Sequence, residues 1–164
     1  MTKRIAGDGL FITLALVVSY IEVLLPISVG IPGVKIGLAN AVIMVLLFFT
    51  TWQRALGISV LRIILVGFLF GNPMTIVYSL AGGILSLFIM VLLKKIKGLS
   101  PVGISVGGGV AHNLGQLSVA VLLMENVRIY YYTPVLLISG TVTGIAVGVL
   151  TGILIQKLPK QLFQ

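Results

Sequence analysis

The chain is a succession of apolar segments, each about 16 to 24 residues long, separated by short polar or charged turns. As an α-helix rising ~1.5 Å per residue, such a segment is about long enough to cross ~30 Å of hydrocarbon. The segments run from Leu10 to Leu25, Ile36 to Thr50, Gln53 to Phe70, Pro73 to Leu93, Pro101 to Met124 and Pro134 to Ile155. With 59% hydrophobic and 9% charged residues, 164 residues carry more apolar surface than one water-soluble core of this size can hide. The expectation is an all-α integral membrane protein, a six-transmembrane-helix bundle in which residues 1–164 form a single transmembrane domain.

The flanking charges predict an orientation. Lys3, Arg4, Arg54, Lys94, Lys95, Lys97, Lys157 and Lys160 fall on one side of the predicted spans, and only Lys35 and Arg128 on the other. By the positive-inside rule both termini are expected in the cytoplasm. Basic loops facing anionic lipid account for the net charge of +8, so no nucleic-acid partner is expected. The N-terminal MTKR and the apolar run after it resemble a signal peptide, but no small-residue cleavage site follows and Glu22 interrupts the apolar end. A retained first helix is expected.

Residues 106–116, VGGGVAHNLGQ, combine three glycines with the chain's single histidine. No GKS or GKT follows, as a phosphate-binding P-loop requires. Gly103, Gly107, Ala111 and Gly115 recur every four residues in the fifth helix, and Gly140, Gly144, Gly148 and Gly152 do so in the last. Small residues in that spacing let two helix backbones approach closely in lipid, where no hydrophobic force joins helices. Packing glycines are therefore expected rather than a phosphate cradle.

Cysteines are absent, which excludes disulfides, thiolate metal sites and haem attachment. One histidine and three acidic residues, Asp8, Glu22 and Glu125, offer too few ligands for a protein-only metal site. No catalytic residue, metal or cofactor is expected, and no DDxxD-type cluster is present to hold a magnesium diphosphate.

Polar side chains inside such a bundle are the informative exceptions. Glu22, Asn40, Arg62, His112, Asn113 and Gln116 fall at similar depth in the predicted spans, with Lys35 just outside the second. They are the candidate substrate-binding residues of a cavity in the outer half. Each also has a structural reading: an Arg62–Glu22 ion pair, a hydrogen-bonded interior His112, Asn113 and Gln116 as interhelical hydrogen bonds, Asn40 as a cap or bridge between helix ends. The run Tyr130, Tyr131 and Tyr132 reads as an interfacial aromatic belt.

The stretches PGVKIGLAN (32–40), LRIILVGFLFGN around Arg62, SLAGG (79–83) and AHNLGQL (111–117) resemble the membrane family of heptaprenyl diphosphate synthase component I, also called the Gx transporter family. That family in turn looks like the substrate-binding S components of energy-coupling factor (ECF) vitamin transporters, small six-helix membrane proteins. The resemblance implies an ECF S-component fold with a ligand pocket open to the outside. The later helices would wall it, and the loop from Pro26 to Lys35 would be its lid. It also implies docking to a T subunit through a small-residue face on the first helix, for which Ala15 and Ser19 are the nearest match.

The resulting expectation is a multi-pass protein of a prokaryotic cytoplasmic membrane that binds a small organic solute, anionic or isoprenoid-related. Lys35, Arg62 and His112 favour an anion. No Walker A motif is present, so a T subunit and an ATPase pair would supply the energy for uptake. Two alternatives stand beside it: a membrane accessory subunit of a polyprenyl diphosphate synthase, and a membrane anchor for a quinone- or flavin-linked redox partner.

Overall fold

A computed structural model describes residues 2–24 and 37–159. These form six α-helices: α1 (Thr2–Leu24), α2 (Leu38–Phe49), α3 (Trp52–Phe70), α4 (Pro73–Lys94), α5 (Pro101–Met124) and α6 (Thr133–Lys157), with a short 3₁₀ helix at Val127–Tyr132 between the last two. The predicted lid Pro26–Lys35, with Lys35 itself, and also Lys160, lie outside the described residues.

Local chemistry sets several boundaries. Asn72 and Ser100 each precede a proline, and each side-chain oxygen accepts the N–H of the residue three positions on, Thr75 at 2.8 Å and Gly103 at 3.2 Å. A capping side chain followed by proline, whose missing N–H costs nothing at the first helical position, is a strong helix start. The first helix begins eight residues before the predicted Leu10 because helical hydrogen bonding continues through TKRIAGDG, where hydropathy no longer reports it.

The second predicted span needs correction. Five helices among the described residues are long and apolar enough to cross a membrane, α6 together with the 3₁₀ turn being one of them. Helix α2 has 12 residues and rises about 18 Å, well short of ~30 Å of hydrocarbon. It is buried almost all round: Ala39 and every residue from Ala41 to Leu47. A helix apolar on every side belongs in a core, and α2 packs against α1, α3 and α6.

The remaining helices close a ring around the interior, α3 on α4, α4 on α5, α5 on α6, with α1 joining α2 to α3. Their outer surface stays apolar, with Phe68 78%, Leu122 75% and Ile138 67% exposed. A surface of this kind suits acyl chains and not water. The bundle is that of a membrane-embedded protein.

The glycines set the spacing of the last three helices. A β-carbon on Gly109 would stand 2.5 Å from the Gly140 carbonyl oxygen, and one on Gly144 would stand 2.7 Å from Val106 Cα. One on Gly148 would come within 2.6 Å of Val102 Cα. On the other side of α5, a β-carbon on Gly115 would lie 2.8 Å from the Ala81 carbonyl oxygen, and one on Gly108 2.7 Å from Met90 Cγ. The triple glycine therefore faces two ways, Gly108 toward α4 and Gly109 toward α6. The predicted ladder of α6 is shorter than expected, since Gly152 meets nothing within 4 Å.

Candidate functional site

Inside the ring lies a cavity of about 500 Å³. Six sequence-predicted residues line it: Glu22 from α1, Asn40 from α2, Arg62 from α3, and His112, Asn113 and Gln116 from α5. It reaches inward as far as Ser86, Ser105 and Thr143.

Glu22 ends up at this place because α1 finishes where α2 begins. Its carboxylate accepts the backbone N–H of Leu38 at 2.8 Å and of Ala39 at 3.4 Å. The first N–H groups of a helix have no partner within the helix, and an anion there also meets the positive end of the helix dipole. Gly37, at φ 77°, makes the turn into α2 that leaves those N–H groups facing Glu22. The alternative Arg62–Glu22 ion pair is not formed within 4.0 Å. The ion pair seen among the described residues joins Asp8 and Arg54 at the opposite end of the bundle.

Arg62 instead bridges three helices. Its Nη2 donates to Asn40 Oδ1 at 3.2 Å and its Nη1 to Ser19 Oγ at 3.4 Å, while Ser19 Oγ donates to the Ala15 carbonyl at 2.8 Å. The guanidinium has five N–H groups, and Nε is buried with no acceptor among the described residues. Nδ1 of His112 is likewise buried, with no partner among the described residues. An unsatisfied buried polar group costs about 1–3 kcal/mol, so two in one cavity wall mark an incomplete network.

Three predicted residues have structural duties. Asn113 Nδ2 donates to the Leu136 carbonyl at 2.8 Å and to Ser139 Oγ at 3.4 Å, tying α5 to α6. The pair Ala15 and Ser19, expected as a docking face for a partner, is turned into the bundle, with 0% and 5% exposure. Ala15 belongs to the same buried apolar cluster as Phe11 and Met44. The small side chains make room for neighbours within this chain, so they present no surface to a second one.

Sequence reasoning missed Thr75, Tyr78 and Ser79 of α4, which also line the cavity. Their spacing of three and four residues puts them on one helix face. That periodicity was available in NPMTIVYS but is masked by the cap at Asn72. His112 and Gln116 pack closely on α4 because Gly82 has no side chain: a β-carbon there would lie 2.8 Å from the His112 carbonyl oxygen and 2.9 Å from Gln116 Cγ. Among the described residues, no group of three or more His, Cys, Asp or Glu side chains is placed to hold a metal.

A sequence profile of heptaprenyl diphosphate synthase component I matches residues 11–154, from the middle of α1 to near the end of α6. The chain belongs to this family. No curated protein and no solved structure matches it, and the resemblance to ECF S components gains no support from these comparisons. For component I, then, the structure supplies a helical bundle around a cavity into which polar groups of several helices project.

Proposed function

We propose that this component I protein is the membrane-embedded accessory subunit of a polyprenyl diphosphate synthase, with prenyl transfer carried out by a soluble partner. The observation that carries the reading is the family match across all six helices. The chemistry agrees with it. Departure of diphosphate from an allylic substrate is assisted by divalent cations, which are held by clustered oxygen ligands; the described residues contain no such carboxylate cluster. A growing isoprenoid chain is strongly apolar, and a membrane subunit would keep the soluble enzyme where its product partitions.

Co-purification from native membranes tests this. A tagged chain should bring down a soluble prenyl transferase, and adding the chain in lipid should raise that enzyme's output of long-chain product. Recovery of an ATPase pair with a T subunit, and no prenyl transferase, would overturn the reading. That result would favour a second one, a solute-binding subunit for uptake. The second reading is favoured by the cavity itself, since a mere anchor has no use for polar groups from several helices around a space of about 500 Å³.

The orientation belongs to the proposal. With eight basic residues against two flanking the spans, both termini lie in the cytoplasm. A cysteine introduced at Lys95 should resist impermeant thiol reagents in intact cells and one at Arg128 should react; the reverse pattern inverts the topology.

A further inference from the structure

We infer that the cavity of the bundle is a binding site for a small monocarboxylate with an apolar body, its carboxylate taken by Arg62. This goes beyond both readings of function, because it needs only the cavity. The volume of about 500 Å³ lies within the ~300–1,000 Å³ usual for small-molecule sites. Met44, Ile63, Met90 and Leu117 give part of its wall an apolar surface.

The charge of the wall selects the ligand. Arg62 is the one Lys or Arg among the described residues lining the cavity, and Glu22 lines the same space. Glu22 already accepts the N–H groups of Leu38 and Ala39 and makes no direct ion pair with Arg62, so the guanidinium edge is left to a ligand. Arg62 engages Asn40 and Ser19 through long bonds and leaves Nε without an acceptor. A guanidinium edge matches the two oxygens of a carboxylate in parallel hydrogen bonds, and such a ligand would supply the missing acceptor. Nδ1 of His112 and the amide of Gln116 lie on the facing helix. A diphosphate carries at least one further negative charge. With Arg62 as the single cation in the described wall free to meet a ligand, that further charge would stay uncompensated in a low-dielectric interior, which is strongly unfavourable. The diphosphate of a prenyl substrate therefore belongs elsewhere.

The test uses the full chain in lipid nanodiscs, washed free of co-purified molecules. Benzoate, naphthoate and octanoate are each compared with their own amides, and inorganic pyrophosphate is added as the diphosphate. Binding is read by calorimetry and by the shift in thermal unfolding. At least one carboxylate should bind about tenfold more tightly than its amide, the margin expected between a charged and a neutral hydrogen bond. Pyrophosphate should neither bind nor compete. Arg62→Lys should erase most of the preference while retaining the charge. Ala120→Phe, which fills the cavity from α5, should abolish binding.

Equal binding of every acid and its amide, binding by none of them, or tighter binding of pyrophosphate overturns the inference, as does unchanged binding in a folded Ala120→Phe protein. The comparison of acid with amide on the unaltered chain stands even if the Arg62 variant fails to fold. Capture of a prenyl transferase does not depend on this site, so the two proposals fail separately.

Discussion

Helices α2 and α5 both lie deep in the bundle, yet they meet their neighbours in opposite ways. α2 presents a full set of large apolar side chains, Met44 and Leu46 among the most buried in the molecule, and its two ends are closed by charges from other helices. Glu22 holds its first N–H groups, and Lys94 donates to the Leu47 carbonyl at 2.5 Å while lying 5.3 Å from the centre of the Phe48 ring. An anion at the N-terminus and a cation at the C-terminus both oppose the helix dipole. A 12-residue helix buried in an apolar bundle gains from such partners, since unpaired buried backbone groups are costly. α5, at 24 residues, is long and apolar enough to cross a membrane, and it packs through bare backbone at Gly109 and Gly115. The difference shows that side-chain capping and backbone contact are alternative ways of joining helices where lipid removes the hydrophobic drive between them.

The contrast can be broken most severely at the backbone contacts. Gly109→Leu or Gly144→Leu inserts a side chain where another backbone stands, and overpacking of that kind costs ~3 kcal/mol or more at such a site. The unfolding midpoint of either variant in detergent should fall well below that of the parent. Gly152→Leu should leave it unchanged, because nothing lies within 4 Å; equal melting of all three would mean that the α5–α6 seam does not hold the bundle.

A smaller effect is expected at the capped helix. Glu22→Ala should cost ~1–2 kcal/mol, the usual loss of a side-chain cap, and amide exchange at Leu38 and Ala39 should accelerate. Glu22→Gln, which keeps one acceptor and loses the charge, should fall between the two. Unaltered exchange in Glu22→Ala would show that α2 does not rely on that carboxylate.

The smallest effect sharpens the seam rather than breaking it. Asn113→Ala removes one interhelical hydrogen bond to the Leu136 carbonyl, a contact worth about 1 kcal/mol in a membrane bundle. The glycine contacts remain, so unfolding should shift only slightly. A loss as large as that of Gly109→Leu would give the polar link, and not the close backbones, the main role in joining α5 to α6.

The residues themselves explain which features were legible in the chain. Pro73 and Pro101 start their helices where expected because a proline and its preceding cap act locally. The same is true of the glycine period, which pointed to close packing before any partner helix was known. The segment from Ile36 to Thr50 misled, because hydropathy is the same for a helix facing lipid and one facing protein. Ala15 and Ser19 misled for a related reason: small residues at that spacing mark a close approach without saying to what.

Sequence alone determined that this chain is helical, that it is too apolar for water, and that Glu22, Asn40, Arg62, His112, Asn113 and Gln116 stand out from their surroundings. Those properties belong to single residues and to their spacing along one helix. Only the tertiary structure decided that Glu22 caps α2 instead of pairing with Arg62, that Asn113 is bonded to α6, and that Nε of Arg62 is left without an acceptor among the described residues. Each of these depends on which helix lies opposite, and in a bilayer that choice is made by shape and hydrogen bonding between helices distant in sequence.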